Sequence, residues 1–458
     1  MRPGGLAAVG LSLSLWFSGC GRPPQLDAAP PPSSHDAVRT AVESKTRPAY
    51  VSADDRGVHV WQEVRRFYKE NGYTLVWSDG RKPRSQMDGL LRALQAANQD
   101  GLDPATYGLD ELTRLKQTLD AAHAADDDLR FTYAYLAYGS DLAHGTVDPE
   151  DIDSHWHASP RDVDLHETLM NALEARRIED SLQRLAPATP QYLGLKHQLA
   201  RYLAMPPTAP PVALTLPDGD TLSMPVADVT ELIAINMDRW RWLPDDLGSR
   251  YLIVNIPAFR IDAVENGKSV LEMKVVTGTE KNATPVMSDR MTSVVFSPYW
   301  NIPRDIAEKE IGPKAEKDSA YLERNNIEVD DAGRYRQRPG KGNSLGLVKF
   351  LFPNHFNVYL HDTPAANLFN KVERDFSHGC VRLERPLDLA LYVLRDQPEW
   401  TRERISAAMN SGKEQAVALK QGLPVYLVYF TAWEENGELQ VRKDVYGHDR
   451  RHRTAVDQ

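Results

Sequence analysis

Cysteine is nearly missing from this 458-residue chain, which has only Cys20 and Cys380. A disulfide framework is therefore excluded as the organiser of the fold, as are paired-cysteine zinc sites. No HExxH run occurs, and His144, His155, His157 and His166 show no HxxxH spacing, so they are read as ordinary polar residues. Basic charge is not concentrated either. The formal net charge is −10 and no stretch forms a basic stripe, so nucleic acid is excluded as a partner. Long apolar runs are absent, since Leu6–Phe17 is too short to remain in a bilayer as a spanning helix. What is present is enough apolar residue, 41%, for real cores in two or three domains.

Against this background one stretch stands out, VYLHDTPAANLFNKVERDFSHGCVRL, from Val358 to Leu383. It places Cys380 in a Ser377-His378-Gly379-Cys380-Val381-Arg382 run, with His361 19 residues upstream. A thiol attacks carbonyl carbon well only as thiolate, and a nearby imidazole is the usual device for making one. Glycine before the cysteine allows close approach of substrate, and the amides around Gly379 and Cys380 are candidates to face a developing oxyanion. His361 ends a strand-like run from Asn357 to Leu360, and Cys380 opens a short extended piece leading to a helix at Pro386. Two strand ends would then bring sulfur and imidazole together. Tyr359, two residues before His361, shares its strand face and is expected in the same cleft. Trp300 is a further candidate for lining it. The group orienting His361 is the Asp362 or Asp375 carboxylate, or a backbone carbonyl.

HDTP followed by SHGCVRL at this distance resembles the signature of the L,D-transpeptidases, cysteine enzymes of the YkuD type that cross-link peptidoglycan. The resemblance implies that Cys380 is the acylated nucleophile and His361 the proton donor and acceptor. It makes Ser377, His378 and Gly379 part of the site lining, and Arg382 a group that orients the loop or a substrate carboxylate. The implied reaction is attack on the diaminopimelate carbonyl of a stem tetrapeptide, release of D-Ala, and transfer of the thioester to an amine acceptor, giving a 3→3 cross-link. The acceptor is a second stem peptide, a lipoprotein lysine or a free D-amino acid. No cofactor and no metal are expected, carbapenem sensitivity is, and the partners are peptidoglycan stem peptides met by a monomer.

The amino terminus reads as an export signal. Arg2 precedes the apolar run, which ends Phe17-Ser18-Gly19-Cys20. That ending resembles a bacterial lipoprotein cleavage site, with Cys20 as the lipidated residue and Phe17 where leucine or a smaller aliphatic is usual; ordinary signal cleavage is the alternative. The expected location is the periplasm of a Gram-negative bacterium, on a membrane anchor. An exported protein would then keep one unpaired thiol, Cys380, in an oxidising compartment, which fits a thiol with a task.

The remaining organisation follows from periodicity. Residues 1–19 are the signal peptide, and 20–56, rich in Pro, Ala, Ser and Asp, read as a disordered tether. Residues 57–204 read as a helical domain, with helices predicted from Val58, from Ser85 to Asn98, and over 109–125, 129–144, 163–175 and 190–203. FYKENGYTLVW, LLRALQAANQDGLDPATY and LAHGTVDP within it resemble the scaffold domain of the larger Gram-negative transpeptidases. Residues 205–229 form a linker that is Pro-rich and strand-like (ALTLPDGDTLSMP), too short for the wall-binding module that usually follows in those relatives. From 230 to 446 one helix and many strands, with Asn266-Gly267 and Asn436-Gly437 hairpins, predict a mainly β, sandwich-like catalytic domain. Residues 303–341 interrupt it, as a capping insertion over the site or a tolerated surface excursion. Residues 447–458 read as a disordered tail. The fold class is thus α+β and multidomain.

Other readings compete. Zinc on His355, His361, His378 and Cys380 lacks paired spacing. A papain-like wall amidase normally has its cysteine before its histidine, the reverse of the order here. A thiol L,D-carboxypeptidase and a non-enzymatic wall lipoprotein complete the set, and the second would be expected to lose Cys380 or His361.

Overall fold

The computed structural model describes residues 33–157 and 161–456. The predicted signal peptide, Cys20 and the start of the predicted tether lie outside the described residues.

Folded structure begins inside the stretch read as a tether. Ser33 caps a helix, α1 (Ser34–Glu43), by accepting from the Asp36 N–H at 3.2 Å. Val38 and Val42, one turn apart, are buried in the helical core, and Arg65 donates to the Val42 carbonyl at 2.7 Å. Two valines at helical spacing outweigh the disorder-prone composition around them once a neighbouring surface exists to receive them.

The longer helices of the N-terminal domain are α2 (Asp55–Glu70), α3 (Ser85–Gln95), α4 (Leu109–Gln117), α5 (Ala124–His144), α6 (Leu165–Ala175) and α7 (Ile178–Gln183). The predicted 109–125 helix stops early because the Asp120 carboxylate accepts from the Ala122 and His123 N–H groups, a local turn that competes with the helix. The central helix α5 is buried on nearly every side, including Asp128, which accepts from Tyr68 Oη and from the Val76 and Trp77 amides.

Between the two halves lie α8 (Pro190–Leu203), the hairpin β1 (Val212–Thr215) and β2 (Thr221–Met224), and α9 (Val226–Arg241). The strand-like part of the linker forms this hairpin, and the helix predicted from Thr230 starts at Val226. Helix α9 is a polar staple. Asp238 accepts from Thr146 of the helical domain and contacts Arg241 and His452. Burial alone would raise its pKa, but the hydrogen bond with His452 and the Arg241 charge hold it far below the usual carboxylate range. His452 belongs to α10 (His448–Val456), which replaces the predicted disordered tail. Its buried residues are His448, Asp449 and His452, and Asp449 pairs with Arg239 at 2.7 Å. No apolar stripe announces this helix, because what it buries is polar side chains matched to polar partners.

The catalytic half is a mixed sheet. Strands β3 (Arg250–Asn255), β4 (Arg260–Glu265), β5 (Lys268–Gly278), β6 (Met287–Phe296), β7 (Val348–Leu351), β8 (Leu360–His361), β9 (Asp375–Ser377), β10 (Val381–Leu383) and β11 (Gln415–Val428) pair in the order β9-β5-β10-β8-β7-β6-β11-β3-β4. Strand β4 also pairs with β5, so the ladder closes on itself. Asn266-Gly267 makes the β4–β5 hairpin with both residues at positive φ, as the sequence predicts. The interior is apolar, with Leu252, Val275, Phe296, Phe350, Leu360 and Val381 fully buried. A helix over Pro386–Val393, at the predicted start, covers it with Leu389, Ala390 and Val393.

The 303–341 insertion has its own small core of Ile302, Ala307, Ile311 and Ile327 beneath a three-stranded sheet of residues 300–301, 327–329 and 335–337.

Candidate active site

Register decides what shares a face at the site. Strands β8 and β10 run parallel with Leu360 opposite Val381 and His361 opposite Arg382; β7 runs antiparallel with Lys349 opposite His361 and Phe350 opposite Leu360. Since side chains alternate, Phe350, Leu360 and Val381 point into the core while Lys349, His361 and Arg382 form a row on the other side. One step back, the Val381 N–H donates to the Tyr359 carbonyl at 3.1 Å, which places Tyr359 beside Cys380 on the same side. The structure thus brings together Cys380, His361, Tyr359 and Arg382, and adds Lys349.

His361 is 4% exposed and its Nδ1 lies 2.5 Å from the Asp362 carbonyl oxygen. A carbonyl only accepts, so Nδ1 carries the proton and Nε2 keeps its lone pair. The orienting group is the backbone carbonyl. The Asp362 carboxylate is engaged with the Leu347 and Thr363 amides, and Asp375 lies on β9. Burial, reinforced by the Arg382 charge, lowers the imidazole to about 3, so the ring is neutral at ordinary pH.

The sulfur is held differently. Cys380 Sγ lies 3.8 Å from the Asn357 carbonyl, and among the described residues no hydrogen bond joins it to His361. Burial pushes the thiol above its ordinary value near 9.0, while the Tyr359 backbone and hydroxyl and the Arg382 charge oppose the rise. Resting sulfur and imidazole are both neutral. Asn357 has φ +56, a left-handed turn that shortens the predicted strand to Leu360–His361.

Loop chemistry fixes the cysteine. Ser377 Oγ donates to the Cys380 carbonyl at 2.6 Å and accepts from the Gly379 N–H at 3.1 Å. The Gly379 amide is therefore already committed, which corrects its expected place as an oxyanion donor; the Cys380 N–H makes no hydrogen bond among the described residues. Gly379 sits at φ +110, where side chains are strained, and its carbonyl accepts from Thr284 Oγ1 at 2.8 Å. Tyr446 Oη donates to the Gly278 carbonyl at 2.7 Å and accepts from the Thr284 N–H, bracing this turn from beneath. No local sequence pattern marks Thr284 or Tyr446, whose roles arise only from contacts across the fold.

The remaining candidates separate. His378 is exposed and its Nε2 pairs with Glu310 of the insertion at 2.8 Å, so the insertion touches the cysteine loop. Trp300 packs against the insertion's apolar cluster and pairs with Gln337. Among the described residues Arg382 has a buried Nε without a partner and no ion pair, so no hydrogen bond of its side chain holds the loop there.

Residues 62–199 match the model of a Scaffold domain and residues 249–411 that of the L,D-transpeptidase catalytic domain. The chain therefore carries an L,D-transpeptidase catalytic domain. A curated Haemophilus influenzae protein, provisionally named an L,D-transpeptidase, is 28% identical to it over 408 residues, 84% of this chain and 78% of that one. A solved L,D-transpeptidase from Mycobacterium smegmatis is 14% identical with a TM-score of 0.23, over 39% of this chain and 58% of that one. L,D-transpeptidase 3 of Mycobacterium tuberculosis, solved with a faropenem-derived adduct, is 17% identical with a TM-score of 0.21, over 39% and 60%. This chain therefore spans under two thirds of those solved relatives. Tyr446, beyond the matched 249–411 segment, contacts Gly278 directly and Gly379 through Thr284, so the L,D-transpeptidase catalytic domain is braced from outside that segment.

Proposed function

We propose that this L,D-transpeptidase acts on peptidoglycan stem tetrapeptides, with Cys380 as nucleophile and His361 as the proton carrier. The observation that carries the reading is the shared face of Cys380 and His361 on neighbouring strands, with Nδ1 committed to a carbonyl and the Nε2 lone pair available. Substrate binding brings Nε2 to the thiol, as catalytic hydrogen bonds commonly tighten only in the complex. His361 Nε2 takes the thiol proton as Sγ bonds to the diaminopimelate carbonyl carbon. The oxyanion meets the Cys380 N–H, and Tyr359 and Arg382 favour the charged sulfur. His361 then returns its proton to the departing D-Ala nitrogen, leaving a thioester. An amine acceptor, by the same reading the side-chain amine of a second stem peptide, repeats the steps in reverse and forms the 3→3 link.

The insertion, joined to the cysteine loop by Glu310 and His378, acts as a cap that keeps water from the thioester. The protein works in the periplasm as a monomer tethered through Cys20.

The test is incubation of the soluble protein with disaccharide-tetrapeptide, read by mass spectrometry. Dimers linked 3→3 and a transient adduct on Cys380 are the expected products. Loss of D-Ala without dimers would make the enzyme a carboxypeptidase, and absence of any adduct, with a carbapenem as well, would remove the role given to the thiol.

A further inference from the structure

Lys349 is an ammonium with no anionic partner, placed beside the imidazole. It stands opposite His361 in register, and Arg382 stands opposite His361 on the far side. The row therefore reads cation, imidazole, cation across three adjacent strands, spaced about 4.8 Å apart. Among the described residues neither cation makes an ion pair. Lys349 is half-buried and its Nζ reaches only the Tyr299 carbonyl, at a long 3.4 Å. The acid nearest to it in effect is Glu414, whose carboxylate is engaged by the Tyr299 N–H at 2.7 Å. Burial lowers the Lys349 ammonium from its ordinary value and the Glu414 charge opposes this only from a distance, so the site carries a partly desolvated charge that no ion pair among the described residues neutralises. A charge in that condition is what an incoming carboxylate would satisfy.

Direction selects which carboxylate. Resting on the reading above, the acyl carbon sits over Cys380 on β10 and the leaving nitrogen must reach His361 Nε2 on β8 to be protonated. A chain laid from Cys380 over His361 continues toward the next strand, β7, and the side chain there on this face is Lys349. The leaving residue of an exo-acting transpeptidase is the last of its peptide, so an α-carboxylate lies one carbon beyond the leaving nitrogen. Arg382, on the nucleophile's own strand, lies on the opposite side of this path and serves the sulfur instead. We infer that Lys349 binds the terminal carboxylate of the residue that is expelled, and so restricts the enzyme to peptides ending at that residue.

The experiment compares two disaccharide-tetrapeptides, one ending in D-Ala with a free carboxylate and one ending in D-Ala carboxamide. For each, kcat/KM for release of the last residue is measured with wild type and with Lys349→Met, Lys349→Arg and Arg382→Gln. Wild type should prefer the carboxylate by about tenfold or more, the worth of a hydrogen bond to a charged group. Lys349→Met should bring that ratio close to one, mainly through KM on the carboxylate peptide, while Lys349→Arg keeps most of it. Arg382→Gln should slow both peptides alike. A ratio unchanged in Lys349→Met, or lost instead in Arg382→Gln, overturns the inference while leaving the transpeptidase reading intact. A wild type that releases D-Ala from neither peptide fails that reading itself, and the inference falls with it. Folding of each variant is checked by its melting curve, and the ratio, unlike a rate, is unaffected by a partly inactive sample.

Discussion

The Nδ1–H of His361 is given to the carbonyl of the very next residue, Asp362, at 2.5 Å. Ring orientation and tautomer are thus set within a single dipeptide, without an acid from elsewhere in the fold. Being buried beside Arg382, the ring is also held neutral down to about pH 3.

Stability should therefore depend on acid. Between an ordinary histidine value of 6.5 and about 3, the unfolded chain binds a proton at His361 that the native state refuses. Stability falls as pH is lowered through that window, with a limiting slope of about 1.4 kcal/mol per pH unit from this one group. Urea midpoints at pH 7 and pH 5 should differ more for wild type than for His361→Gln. Equal differences would show that the ring titrates normally in the native state.

The free thiol should be sluggish. Cys380 lies above its ordinary value and makes no hydrogen bond to the imidazole, so alkylation by iodoacetamide should climb through pH 9 without a plateau near neutrality. His361→Ala should scarcely change that profile. A plateau near pH 6 would instead reveal a preformed thiolate–imidazolium pair.

Acylation separates the roles of the three residues in the loop region. Cys380→Ala should abolish a covalent carbapenem adduct, and His361→Ala should slow it by roughly 10²–10⁴-fold. His378→Ala, whose ring faces Glu310 rather than the sulfur, should do much less. Stopped-flow fluorescence with intact-mass detection ranks them, and three equal, mild effects would refute the assignment.

Tyr446→Phe tests the brace under the loop. It removes a hydroxyl that donates to the Gly278 carbonyl and accepts from the Thr284 N–H, a loss of about 1–2 kcal/mol. Melting temperature should fall by a few degrees and acylation should slow several-fold. Normal acylation in a destabilised variant would mean that the Thr284–Gly379 bond alone holds the turn.

Glu310→Gln separates contact from stability. Both partners of the Glu310–His378 pair are exposed, so the melting point should stay within about a degree. The ratio of cross-linked dimer to hydrolysed product should fall if the insertion keeps water out. An unchanged ratio would make the insertion a surface excursion.

Much of this was legible in the chain. Cys380, His361 and the turn between them are local features, and the Asn266-Gly267 and Asn436-Gly437 hairpins follow from residues that tolerate positive φ. Helices α2, α5 and α8 follow from apolar spacing, which needs no knowledge of the partner surface. The helix α1 was hidden because two buried valines sit in a Pro- and Ser-rich setting, and α10 because it buries histidines and an aspartate. Polar burial has no period. It is permitted only where a partner charge arrives, and Asp238 and Arg239 arrive from more than two hundred residues upstream.

The sequence by itself determined which atoms are candidates to react, since a lone thiol and a nearby imidazole are matters of residue type and short-range order. Only the tertiary structure decided the state in which they rest, and that Lys349 joins them. Protonation depends on burial and on charges from other strands, and a cross-strand neighbour depends on register, neither of which is written in any single stretch of chain.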